Sequence, residues 1–218
     1  MVLLFIGPSG GGKDTQAELL VEGAGVSDNQ RFERVSTGDL IRDISEGEHE
    51  IQRIIREKMN KGFLEDKFTI GLLQIYLSEL RSENVILSGA IRQATQIKLL
   101  DQALALLNRT LDKVILFEIS DKEAIKRMSG RLYCPIDNSN YHLIFNPPRK
   151  VDTCDLCGTK LQRREDDNPE AIKARLAEFH KESGGIISEY ENRGILIRID
   201  ASKDIDSVHK SLIKKLNL

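Results

Sequence analysis

The sequence predicts an α/β fold with a central parallel sheet covered by helices on both faces. Three observations point there. Short apolar runs recur along the chain and alternate with longer segments of helical spacing, the pattern of strands buried on both sides by crossover helices. The first run, residues 1–6, leads into a glycine-rich turn and then a helical pattern, as a buried parallel strand does. The 218 residues are 40% hydrophobic and 30% charged, enough for a sizeable core and a well-solvated surface in one large domain or one domain with insertions.

Taken in order, residues 1–6 (MVLLFI) read as the first strand and residues 13–22 as a helix, apolar at Ala17, Leu19, Leu20 and Val21. Further strands are expected at 34–36, 84–88 (NVILS), 113–119 (KVILFEI) and 195–199 (ILIRI). Helical patterns cover 39–60, 67–81, 93–108, 121–129, 168–192 and 204–216. Two stretches break the rhythm. Residues 39–69 hold helices without a strand, predicting a small helical insert. Residues 132–165 contain Pro135, Pro147, Pro148 and all three cysteines, predicting a small β-rich insert stabilised by something other than a core. No internal repeat or low-complexity tract is present.

Lys and Arg number 32 against 34 Asp and Glu, a net charge of −2. That balance argues against non-specific nucleic-acid binding while leaving room for local basic clefts that take phosphate. Residues 1–6 lack a basic leader, and the run stops at Gly7, too short for a signal segment or a span. The expectation is a soluble, cytoplasmic protein with no membrane partner. Three cysteines, two of them in a C-x-x-C, suggest metal or redox chemistry before disulfides.

The segment Gly7-Pro8-Ser9-Gly10-Gly11-Gly12-Lys13 fits G-x-x-x-x-G-K between a strand and a helix. Small residues there let backbone N–H groups converge on phosphate oxygens, the helix N-terminus adds positive potential, and Lys13 reaches the terminal phosphates. The next residue is Asp14 where the general motif has Ser or Thr. A carboxylate beside a triphosphate is unfavourable unless screened. Asp14 is therefore read as a first-turn acid turned away from the phosphates, or as an indirect contact to a metal.

Beyond the loop, GPSGGGKDTQ resembles the adenylate kinase signature, in which Lys is followed by Gly, Thr and Gln; Thr15 and Gln16 match and Asp14 departs. Ser36-Thr37-Gly38-Asp39-Leu40-Ile41-Arg42 is similar to the family's monophosphate-site segment, and Gly89-x-x-Arg92 with Gln96 to its second acceptor segment. Arg127 and Arg131, then Arg164-Glu165-Asp166-Asp167 and Arg175, follow in the family's order, and matches run from residue 7 to about Lys203.

The resemblance implies a single P-loop kinase domain over 1–218, with a helical monophosphate-binding insert at 38–69 and a lid at 131–168. It implies reversible phosphoryl transfer from ATP to AMP, giving two ADP, with Mg²⁺ accompanying ATP, in a monomer. ATP would be held by Gly10, Gly11, Gly12, Lys13, Asp14, Thr15, Arg127, Arg131 and Lys203. AMP would be held by Thr37, Arg42, Gly89, Arg92, Gln96, Arg164 and Arg175, with Gln96 reading the adenine edge. Lys13, Arg92, Arg131, Arg164 and Arg175 would surround the transferring group, in keeping with a reaction that asks for positioning and charge stabilisation.

Some positions depart from the family. Ser88 stands where it has an Asp that helps hold Mg²⁺ through water, Ala90-Ile91 replace Phe-Pro, and the acceptor loop at 59–66 is one residue short and lacks the usual proline. A kinase for another monophosphate, UMP or CMP, and a weakly active nucleotide-binding homologue are the alternatives.

Cys134-x-x-Asp137 and Cys154-x-x-Cys157 supply two ligand pairs on tight turns, the arrangement of a structural zinc site. Zinc would then provide the fold energy of an insert too small for a core. Asp137 is the fourth ligand by spacing, with His142 or Asp155 as alternatives; a metal-free polar network is the other reading. His49, His180 and His209 lie outside the insert and are expected at the surface.

Overall fold

The computed structural model describes residues 1–23, 31–60, 64–137, 139–163 and 167–218, excluding the side chain of Asn60. Five parallel strands make the central sheet: β1 (Val2–Ile6), β2 (Glu33–Ser36), β3 (Val85–Ser88), β4 (Lys113–Glu118) and, last in the chain, β7 (Leu196–Asp200). Their spatial order is β2-β3-β1-β4-β7. The apolar runs are strands because alternate residues feed two separate cores. Val2, Leu4 and Ile6 join Val85, Leu87, Val114 and Leu116 on one face, while Leu3 and Phe5 join Ile86, Ile115 and Phe117 on the other. This period-2 division is what a strand buried on both faces requires.

The first core is completed by Leu73 and Leu77 of α4 (Asp66–Glu79), Leu100 and Leu104 of α5 (Thr95–Leu106), and Ile186 and Tyr190 of α7 (Pro169–Asn192). The second takes Ala17 and Leu20 of α1 (Lys13–Val21) and Val208 and Leu212 of α8 (Ile205–Leu216). Side-chain caps define the starts of α7 and α8. Asn168 accepts from Ala171 N–H, with Pro169 at the first position of α7, and Asp204 accepts from Ser207 N–H at α8.

The helix expected over 39–60 is two helices, α2 (Thr37–Ser45) and α3 (Glu50–Asn60). Gly47 interrupts them with φ 111°, and a Cβ there would lie 2.8 Å from Gln52 Oε1. A positive-φ turn cannot sit inside a helix, and glycine adopts it at little steric cost. The insert between 132 and 165 is β-rich as expected: β5 (Arg131–Tyr133) pairs antiparallel with β6 (Asn140–His142) after α6 (Asp121–Ser129). Among the described residues its core is Leu132, Cys134, Tyr141, Cys154 and Leu161. Among the described residues no helix is long and apolar enough to cross a membrane.

Candidate active site

Open parallel sheets place ligands outside the carboxyl ends of their strands, and a cavity of about 670 Å³ lies there. The ends of β1, β2 and β3 contribute Phe5 and Ile6, Ser36, and Ser88. The loop 7–12 crosses the cavity floor. Gly12 takes φ 82°, in the left-handed region, and precedes α1 without any side-chain cap. The first-turn N–H groups of α1 are thus uncapped where loop and cavity meet, the backbone device that receives phosphate.

Lys13 folds back onto this loop, its Nζ donating to Gly7 O and Pro8 O, both at 2.8 Å. Burial, reinforced by Arg92 and Arg131, lowers its pKa to about 8, against the opposing charge of Asp14. Asp14 does not turn away, contrary to the first reading of it. Its Oδ1 accepts from Ser88 Oγ at 2.7 Å and from Arg34 Nη1 at 3.0 Å, on the cavity wall. Burial acts to raise its pKa, but Lys13, Arg34 and the Ser88 bond hold it below the ordinary carboxylate range. Arg34 also reaches Asp39 Oδ2 at 2.7 Å, and Asp39 pairs with Arg42. Arg34 was read only as part of a strand. A lone guanidinium in a short strand ending at Ser36 carries no pattern of its own; its partners are brought to it by the fold.

Of the expected site residues, Gly10, Gly11, Gly12, Lys13, Asp14, Thr15, Arg42, Gly89, Arg92, Arg127, Arg131, Arg175 and Lys203 all line the cavity. Arg127 sits beside the loop, 3.9 Å from where a Gly12 Cβ would be, and donates to Glu123 and to Lys203 O. Arg131 makes a two-pronged contact with Asp167, Nε and Nη2 each at 2.7 Å, and Arg175 Nη2 reaches the same carboxylate at 2.8 Å. The Asp167 side chain is only 3% exposed, so one buried anion holds two cationic side chains from different elements at the cavity wall. Arg164 lies outside the described residues.

Thr37 and Gln96 stand behind the wall. Thr37 Oγ1 donates to Gly89 O at 2.9 Å. Gln96 Oε1 accepts from Arg92 N at 2.6 Å and Gln93 N at 3.2 Å, and its Nε2 donates to Asp66 Oδ1 at 2.6 Å. Gln96 therefore fixes the turn that carries Arg92 and ties it to the start of α4.

In the insert, Cys134, Asp137, Cys154 and Cys157 place one ligand atom each within 4.8 Å of one another. Cys134 Sγ lies 3.4 Å from Cys157 Sγ, and Cys154 Sγ 3.0 Å from Asp137 Oδ2. Ligands about 2.0–2.3 Å from a zinc ion need separations of this order, so the residues fit the metal. The alternatives for the fourth ligand are engaged elsewhere. His142 lines the large cavity and its Nδ1 accepts from Ile144 and Phe145 N–H, while Asp155 Oδ1 accepts from Arg149 N–H. His49 is exposed, and His180 is an exposed partner of Asp121. His209 is not a surface residue: it is buried between α8 and α1, with Nδ1 donating to Gln16 Oε1 at 3.0 Å. Its place on the inward stripe of α8, one residue after Val208, explains the burial.

A family model described as adenylate kinase matches residues 5–195. The chain belongs to the adenylate kinase family. It is similar to the adenylate kinase of Methanosarcina barkeri, 39% identical over 99% of both chains. It is 36% identical to that of Staphylococcus epidermidis, over 100% of this chain and 99% of the relative. It is 33% identical to that of Caldicellulosiruptor saccharolyticus over the whole of both. As an adenylate kinase family member it is a nucleotide-binding phosphotransferase of the nucleoside monophosphate kinase class.

Proposed function

We propose that this enzyme transfers a phosphoryl group between ATP and AMP across the cavity, with the donor on the loop and α1 and the acceptor near Arg42 and Arg92. The observation that carries the reading is convergence: Lys13, Arg42, Arg92, Arg131 and Arg175 come from five separate segments to line one cavity above a glycine-rich loop. Phosphoryl transfer needs little covalent help from protein and much charge stabilisation and alignment. Lys13 would leave the loop carbonyls for the donor's terminal phosphates. Arg42 and Arg92 would clamp the acceptor phosphate, in the charge-assisted, forked contact that guanidinium favours. Arg131 and Arg175, held by Asp167, would meet the transferring group from the lid side, and Arg127 and Lys203 the donor nucleotide.

Mg²⁺ suits the site, because Asp14 and Ser88 offer an anion and a hydroxyl beside the phosphate loop. When bound with ATP it supplies neutralisation of charge on the donor phosphates. The helices α2 and α3 and the β5–β6 insert would close over the substrates and exclude water. In that insert Cys134, Asp137, Cys154 and Cys157 would hold structural Zn²⁺.

The test is a coupled assay of ATP with AMP, UMP and CMP, each with and without Mg²⁺. AMP should be the preferred acceptor and Mg²⁺ should be required. Preference for a pyrimidine monophosphate would reassign the acceptor, and turnover with none would leave a nucleotide-binding homologue.

A further inference from the structure

The position after a phosphate-loop lysine is where P-loop proteins hold the donor's metal, ordinarily with a hydroxyl that ligates it, while an acid near the end of a neighbouring strand supplies charge. Here the two chemistries are exchanged. The acid, Asp14, is in the first turn of α1, and the hydroxyl, Ser88, ends β3. They touch: Ser88 Oγ donates to Asp14 Oδ1 at 2.7 Å. Ser88 is buried, and the Asp14 side chain is 53% exposed. Arg34 Nη1 approaches the same Oδ1 at 3.0 Å, and among the described residues no hydrogen bond falls on Oδ2. The carboxylate is thus fixed by two bonds to one oxygen, leaving the other as an acceptor for a metal-bound water.

Ordinary structural explanations fall short of the arrangement. An ion pair with Arg34 does not need an acid on the phosphate loop, since Arg34 already pairs with Asp39 at 2.7 Å. A carboxylate adjoining Lys13 repels the phosphates that Lys13 attracts. A divalent cation between Asp14 and the phosphates turns that repulsion into attraction.

We propose that Asp14, oriented by Ser88 and Arg34, is the residue that holds the hydration shell of the donor's Mg²⁺ in this enzyme, and so makes nucleotide binding selective for the metal complex. The proposal rests on the phosphotransferase reading. Asp14 is a positioning residue here, acting through metal-bound water.

The experiment measures the affinity of ATP by calorimetry, without acceptor, once in excess MgCl₂ and once in EDTA, for the native chain and for Asp14→Asn, Asp14→Gly and Asp14→Gly/Ser88→Asp. The readout is the ratio of the two dissociation constants. In the native chain the metal complex should bind more tightly. Both single variants should bind metal-free ATP more tightly and the Mg²⁺ complex more weakly, lowering the ratio about 10-fold or more, the size expected of an outer-shell partner. The double variant, with an acid returned at the strand end, should recover most of it. Loss of Mn²⁺ retention in the ATP complex, followed by the electron-spin signal of free Mn²⁺, should parallel the ratio. Circular dichroism on each variant accompanies the titrations. A structural role alone would change both affinities together, so an unchanged ratio in Asp14→Asn and Asp14→Gly overturns the proposal and leaves the kinase reading standing. No ATP binding by the native chain overturns both.

Discussion

Lys13 shows how a single residue can be tuned for a ligand it has yet to meet. Burial and two nearby guanidiniums lower its pKa to about 8, far enough for ordinary assay conditions to reach. A base whose pKa is lowered gives up its proton at lower pH, and the neutral amine cannot pair with phosphate. The kcat/KM for ATP, which reports the free enzyme, should therefore be flat below about pH 7 and fall as pH rises through about 8. Asp14 is the charge that opposes the depression, so Asp14→Asn should move the midpoint to lower pH. A limb that stays near pH 10 in both proteins would contradict this account. Asp167 supports a second expectation at this scale. It is buried and takes three N–H donors from Arg131 and Arg175. Asp167→Asn keeps the shape but loses the charge, and bonds of this kind contribute about 1.5–3 kcal/mol each. Turnover should fall about 10- to 100-fold, with a lower Tm; a drop in Tm with unchanged kcat would mean that the carboxylate braces the fold without aligning the arginines. Residue identity was legible from sequence at these positions, and adjacency was not. Asp14 and Ser88 stand out as departures, yet they are 74 positions apart, and only parallel pairing of β1 with β3 brings the strand end to the loop.

At the scale of elements, the sequence announced strands better than helix joints. A buried strand is marked by a continuous apolar run, so β1, β3 and β4 lie where the runs do. The split between α2 and α3 was hidden because the break, residues 46–49, holds one glycine and no proline within a longer stretch of helical spacing. The β5–β6 insert was legible for a different reason, its prolines and cysteines. Its core among the described residues includes Cys134 and Cys154, two of the four proposed metal ligands, so losing a metal held there would remove much of what the insert folds around. Cys154→Ser, or chelation, should cut amide-exchange protection in residues 131–163 by about 100-fold, equivalent to about 2.7 kcal/mol, while β1, β3 and β4 keep theirs. Metal analysis should find one zinc per chain. Absence of zinc after growth with zinc, together with native protection of the insert, would favour a metal-free polar network.

At the scale of the whole molecule, the two cores on either face of the sheet set a rigid frame, and the charged groups are distributed over the parts that hang from it. Arg42 rides on α2, Arg131 on β5 and Arg175 on α7, while Lys13 opens α1 and Arg92 belongs to the loop after β3. Arg92 and Arg131 act against the charge of Lys13 across the cavity. In the proposed reaction, substrate phosphates would add counter-charge between them. Substrates should therefore act as cross-links between elements, and their effect on stability should be cooperative. A ligand at 100 times its dissociation constant stabilises a protein by about 2.7 kcal/mol. In a chain of this size that corresponds to a Tm increase of about 5–10 °C. ATP with Mg²⁺ and AMP each should raise Tm, but a non-reacting ATP analogue with AMP should raise it by more than the sum of the two. Hydrogen exchange under the same conditions should show the added protection in α2, α3 and residues 131–163, with little change in β1, β3 and β4. If the shifts merely add and the protection is spread evenly, the arginines bind their substrates independently, and closure of the inserts is not driven by charge.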